Sequence, residues 1–201
     1  DKKLGGHRII TDNVDNRISR GRMLAFAYGT KENGAVFSHM AVRYAYALYE
    51  RGFVHEGFEA LSALFEHALD FETSRIYPGV PEYFEPDGRG AYHYLTGAGA
   101  WTLRTVVGQM YGIRGRLGAM FIEPKLLARQ FDRNGTASVK LRFGGLSWTV
   151  TSFDPPGLDY GQYRPELKLD GMPLPGNTVP RRFTEEAEPG SEPRLGGFLK
   201  E

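Results

Sequence analysis

The sequence predicts a mixed fold, helical in its first half and β-rich in its second. Three observations predict it. Between residues 38 and 111, apolar positions recur near a 3.6-residue period. Beyond about residue 117 they occur in short runs bounded by turn signals. The stretch "AVRYAYALY" is apolar almost all round, and such a helix needs neighbours on both sides. The helical part is therefore expected to be a piece of a larger helical array.

Residues 1–36 carry several glycines and little periodicity, and they read as loop with a short strand at "HRII". Ser38 is a natural N-cap for a first helix that places Met40, Tyr44, Ala45, Leu48 and Tyr49 near one face, with Gly52 as its stop. A second helix over about 54–70 aligns Phe58, Leu61, Phe65, Ala68 and Leu69, making an αα-hairpin with the first. Residues 71–95 hold Pro78, Pro81, Pro86, Gly88 and Gly90 and read as an irregular, functional connection. A third helix over about 98–111 carries Leu103, Val106, Val107 and Met110 on one face and closes at Gly112. Strands follow at "AMFIEP", "SVKLRF", "SWTVTSF" and "RPELKLDG", separated by Asn134-Gly135, Gly144-Gly145 and Pro155-Pro156-Gly157. They predict an antiparallel unit. From about 184 the acidic, Pro- and Gly-rich "TEEAEPGSEPRLGG" predicts a mobile tail. No internal repeat is visible.

Composition narrows the function. Hydrophobic residues are 41% and charged residues 24% of the 201, the balance of a soluble globular chain. Aromatics reach 13%, which suits carbohydrate handling as well as a dense core. A formal charge of +1 gives no footprint for nucleic acid. No apolar run approaches the roughly 18 residues of a membrane span, and "DKKLGGHRII" is no signal peptide. Cysteine is absent, which excludes disulfides and thiolate metal sites and fits a reducing compartment.

Two helix starts draw the chemistry. Helix N-termini present unpaired N–H groups and partial positive charge. His39, next to the Ser38 cap, either helps hold an anion there or packs against the preceding loop. Thr96 and Gly97 open the third helix, where a hydroxyl and a bare backbone suit a phosphate or simply cap a tightly packed helix. Both starts could converge on one anion. Glu32 and Asn33 either bind a sugar hydroxyl or brace the turn at Gly34. In "PEYFEPDGRGAY", Glu82, Glu85, Asp87 and Arg89 stand beside Tyr83 and Phe84, whose rings could stack on a pyranose; the alternative is a solvated loop. No His-Glu-x-x-His is present, and no metal site is expected. No Ser/His/Asp set is readable, and "GIRGRLG" lacks the strand of a dinucleotide fold.

"KENGAVFSH", "LTGAGAW", "YGIRGRLGAMFIEPKL" and the β-rich end resemble the C-terminal third of inverting glycoside phosphorylases of the cellobiose phosphorylase family, over roughly residues 20–165. "GRMLAFAYGTKENGAVFSHMAV" and "SRIYPGVPEYFEPDGRGAYHYLTG" are most similar to the branch acting on β-1,2-linked oligoglucosides. The resemblance implies the C-terminal part of an (α/α)6 toroid over residues 1–116, a small antiparallel β-sandwich-like domain over 117–183, and the tail over 184–201. It implies that His39, Thr96 and Gly97 bind phosphate; Glu32, Asn33, Glu82, Tyr83 and Arg89, read from the residues themselves, are the expected sugar contacts. Two positions depart from the pattern: Ala98, where many relatives carry Ser or Thr, and Ala35, where other branches carry a second Gly.

The implied reaction is reversible phosphorolysis of a β-glucoside to α-glucose 1-phosphate with inversion. Phosphate is a substrate, and no cofactor is implied. A hydrolytic inverting enzyme needs a second carboxylate to activate water, whereas phosphate is already an anion that only has to be positioned. The family's general acid is an Asp that precedes these motifs, so Asp12, Asp15 and other local Asp residues are not given that role. The expected partners are a β-glucan oligosaccharide, inorganic phosphate, and an upstream segment or second chain of the same enzyme. The expected location is cytoplasmic. The rival readings are a non-catalytic carbohydrate-binding or scaffold module, and a glucan hydrolase or transferase on the same framework.

Overall fold

A computed structural model of the chain describes residues 4, 6–10, 21–76, 79–93, 96–154, 156–185 and 192–200. Asp12, Asp15, Pro78, Pro155 and residues 186–191 of the expected tail lie outside the described residues. The chain divides into two compact units at Thr105/Val106, against the boundary at 116/117 that the sequence suggests.

The first unit is built on α1 (Ser38–Glu50) and α2 (Val54–Leu69), an antiparallel pair joined through Gly52. α1 buries Ser38, Ala41, Val42, Ala45 and Tyr49, a stripe at helical spacing whose alanines allow close approach. α2 answers with Val54, Gly57, Ala60, Leu61, Leu64 and Ala68. Leu61 and Leu64 are each 2% exposed and contribute about 1.5–3 kcal/mol apiece by leaving water. After the short α3 (Phe71–Ser74), the supposedly irregular connection forms β2 (Tyr83–Phe84) and β3 (Gly90–Ala91). They pair with β1 (Val36–Phe37) in a three-stranded antiparallel sheet of order β1-β2-β3. α4 (Gly97–Thr105) packs on α1. The "HRII" segment is not a strand.

The toroid expectation is corrected here. The described chain is a mixed α/β fold of few helices and three sheets, not a portion of an α/α toroid. The reason lies in α1. The all-round apolar reading of residues 41–49 counted Tyr44 as core and the expected apolar face added Met40, but they are 46% and 39% exposed. The demand for helical neighbours is met by α2 and α4 alone. The same rotation leaves Leu69 and Leu103 outside the core, at 73% and 66% exposure.

The second unit opens with a π-helical turn, Val106–Met110, where the sequence predicts continued α-helix. β4 (Ile113–Arg116) and β5 (Ala119–Ile122) form a hairpin that β10 (Thr178–Val179) extends. β6 (Thr136–Phe143), β7 (Leu146–Phe153), β8 (Arg164–Leu169), β9 (Met172–Pro173) and β11 (Arg194–Lys200) make a five-stranded sheet of order β6-β7-β11-β8-β9. Gly144 and Gly145, both at positive φ, make the tight β6–β7 turn that twisted strands favour. Ile113, Met120, Ile122, Trp148, Val150, Leu167, Val179 and Leu195 share one core between the two sheets. Asn134-Gly135 is not a turn between paired strands. It belongs to an Asx turn in which Asp132 Oδ1 accepts from the Asn134 and Thr136 amides, at 2.8 and 2.9 Å.

Two expectations change in this unit. The sheet is not purely antiparallel, because β11 runs parallel to β7 and antiparallel to β8. And "RLGGFLK", inside the expected tail, is the central strand, with Leu195 and Leu199 buried at 1% and 2% exposure. A short α5 (Arg182–Glu185) precedes it. Among the described residues, no helix is long and apolar enough to cross a membrane.

Candidate functional site

The site lies in the first unit, where the starts of α1 and α4 meet. Phe37, not Ser38, is the N-cap of α1, and no side chain caps it. The Ser38 amide instead donates to the Glu82 carbonyl at 2.8 Å, which ties the helix start to the sheet. The Ser38 hydroxyl is fully buried, and it has no hydrogen-bond partner among the described residues. A buried hydroxyl left unpaired costs free energy unless something satisfies it. His39 follows in the first turn. Its Nε2 is likewise buried and unpartnered among the described residues.

The imidazole of His39 lies against Gly97. A β-carbon at Gly97 would fall 2.9 Å from His39 Cε1, 3.0 Å from Nδ1 and 3.2 Å from Nε2. Only glycine lets the ring approach α4 so closely. Thr96 sits just before it and caps the helix, its Oγ1 accepting from the Ala98 amide at 3.2 Å. The structure thus brings His39, Thr96 and Gly97 together.

From this junction two side-chain rows run along the helices. On α1 they are His39, Arg43 and Tyr46; on α4 they are Gly97, Trp101 and Arg104. The Arg43 guanidinium stands 5.1 Å from the Trp101 ring centre, and that of Arg104 stands 4.9 Å from Trp101 and 5.4 Å from Tyr46. Tyr46 meets Trp101 edge-on at 5.3 Å, and His39 and Trp101 are 6.5 Å apart between centroids. Contacts that advance together along both chains make the helices parallel. Side-by-side parallel helices place their positive ends together, an unfavourable arrangement that an anion between them would relieve.

The other sequence-predicted residues are distributed around this unit. Asn33 donates from Nδ2 to the Phe26 carbonyl at 2.6 Å, which braces the turn, while its Oδ1 is buried without a partner among the described residues. Glu32 Oε2 is in the same condition, and Oε1 is 4.0 Å from Arg22 Nη1. Two unsatisfied acceptors on adjacent residues suit hydroxyl donors. Glu82 is half-buried, and its backbone carries the tie to Ser38. Tyr83 is 6% exposed, packs with Ala35 and Phe37, and lies 5.9 Å from the Tyr92 ring. Burial, with Glu85 nearby, raises its phenol pKa. Arg89 sits at the β2–β3 turn, where Nη2 donates to Glu85 Oε2 at 2.8 Å and its amide to Asp87 Oδ1 at 3.0 Å. Its guanidinium is thus engaged by Glu85, and its carbonyl accepts from the Glu85 amide at 2.8 Å.

Sequence reasoning missed Trp101, Arg43, Arg104 and the Thr102 hydroxyl, which is buried without a partner among the described residues. Spacing held the signal for the first two. Trp101 is four residues after Gly97, and Arg43 is four after His39, so each shares a helix face with a predicted ligand.

No family model matches the chain. Over 148 aligned residues it is 27% identical to cellobionic acid phosphorylase of Neurospora crassa, an alignment covering 63% of this chain and 18% of that protein. The chain thus spans less than a fifth of that relative's length.

Proposed function

We propose that this chain carries the phosphate-holding part of a glycoside phosphorylase. One observation bears most of the weight: His39 seated on Gly97 where two parallel helices begin. The partial similarity to a phosphorylase supports that reaction class. Each helix end contributes about 0.3–2 kcal/mol towards an anion. A hydrogen bond from the imidazole to a charged oxygen contributes about 1.5–3 kcal/mol, so His39 outweighs either end. The Thr96 hydroxyl and the first-turn amides of Gly97 and Gly99 are proposed to complete the cradle, the Ala98 amide being already donated to Thr96 Oγ1.

In the proposed reaction, phosphate held there attacks the anomeric carbon of a β-glucoside in line. The glycosidic bond breaks, and a carboxylic acid protonates the departing oxygen. Configuration inverts, giving α-glucose 1-phosphate. No Asp of this chain is assigned as that acid; it is proposed to come from a further segment or second chain of the same enzyme. Glu32 and Asn33 are proposed to accept from sugar hydroxyls, with Glu82, Tyr83 and Arg89 shaping the approach. Similarity in the quoted motifs favours β-1,2-linked oligoglucosides.

The test is kinetic. In the enzyme assembled with its acid-bearing part, His39→Ala is expected to raise the apparent KM for phosphate more than that for the sugar. Unchanged phosphate dependence would overturn the assignment. Free glucose released independently of phosphate would point to a hydrolase, and sugar binding without turnover to a binding module.

A further inference from the structure

We propose that Trp101 is the positioning residue of this site: it fixes the His39 imidazole on Gly97. The inference deepens the phosphate reading and rests on it for function, but the positioning itself rests on geometry alone. His39 has one buried, unpartnered nitrogen, so among the described residues no hydrogen bond at Nε2 orients the ring. Packing has to do so. Gly97 supplies one wall: a β-carbon there would fall 2.9–3.2 Å from the ring, so the bare backbone leaves room for the imidazole but no side chain to hold it. Trp101 stands one turn further along the same face of α4, its centroid 6.5 Å from that of His39 and its plane tilted by 37°. It blocks movement of the ring along the helix.

Trp101 is itself held from several sides. Tyr46 meets it edge-on at 83°, and the guanidiniums of Arg43 and Arg104 stand 5.1 and 4.9 Å from its ring. Contacts of this kind contribute about 0.5–1 kcal/mol each at exposed sites, and aromatic pairs about as much. Together they make the indole far less mobile than a lone surface tryptophan. Arg43 lies one turn into α1 and Arg104 in the last turn of α4, so the two cations clamp the indole from both helices. The arrangement is that of an outer residue which orients a ligand-bearing one, a role whose loss costs roughly ten- to hundredfold in comparable metal sites.

The experiment uses the 201-residue chain, with the His39 Cε1–H signal followed by NMR and inorganic phosphate titrated in parallel. Trp101→Ala is expected to shift and broaden the His39 signal and to raise the phosphate Kd roughly tenfold. Trp101→Phe, which keeps a ring, is expected to recover most of both. Circular dichroism of the Trp101→Phe variant guards against a folding defect. An unmoved His39 signal with unchanged Kd in Trp101→Ala overturns the positioning role. If the His39 signal moves as expected but the native chain binds no phosphate, Trp101 positions the ring and the phosphate reading fails instead.

Discussion

Gly97 is where one atom separates two roles. A methyl group there would meet the His39 ring at 2.9 Å, so the ring must move. Alanine is also the better helix former, by about 1 kcal/mol. Gly97→Ala is therefore expected to leave the melting temperature unchanged or higher while phosphate affinity falls, read by calorimetry on both properties. If binding survives intact, the close approach has no functional meaning. Asp154 offers a second single-residue test. It is 2% exposed, its Oδ2 accepts from the Leu158 amide at 2.6 Å, and its Oδ1 has no partner among the described residues. Burial, with Asp159 nearby, raises its pKa despite the amides donated by Leu158 and Gly157. The fold thus favours the protonated acid. The stability this gives is complete below the ordinary carboxylate range and is lost as pH rises through the raised value. Asp154→Asn is expected to flatten the fall in urea-unfolding stability as pH rises above the ordinary carboxylate range; an unaltered slope would exonerate this carboxyl.

At the scale of elements, the sequence shows where helices are better than which way they face. α1 and α2 fall within a residue or so of their expected ends, since Gly52 and the apolar periods mark them. Their faces are rotated, because Met40, Tyr44 and Leu69 are large and apolar but stay outside. Small residues, Ala41, Ala45 and Gly57, make the actual contact stripe, and periodicity scales weight them lightly. β6, β7 and β8 were legible through alternation and turn residues. β11 was not, because two glycines and an acidic, Pro-rich approach mask its alternation, and its partners lie far away in sequence. Leu195 is the measure of that strand. Leu195→Ala is expected to cost about 2–5 kcal/mol in urea unfolding of the second unit. A cost below 1 kcal/mol would mean that the central strand position is wrong.

At the scale of the whole molecule, His39, Thr96 and Gly97 could be singled out because helix starts announce themselves in sequence. The sequence offers their convergence only as a possibility, since the meeting itself depends on α1 and α4 running parallel. The supporting row of Arg43, Tyr46, Trp101 and Arg104 was hidden for the same reason. The proposed function assigns the proton donor to a part other than these residues. Accordingly, the chain with phosphate and a β-1,2-glucooligosaccharide is expected to release no glucose 1-phosphate alone and to release it once the acid-bearing part is supplied. Release by the chain alone would show that the acid lies within it.

Titration calorimetry of inorganic phosphate into the native chain and its His39→Ala variant tests the central claim most directly. The parallel helix starts with the imidazole between them predict saturable one-to-one binding that weakens roughly ten- to hundredfold in the variant. No saturable heat with the native chain, or equal affinity in both, would contradict it.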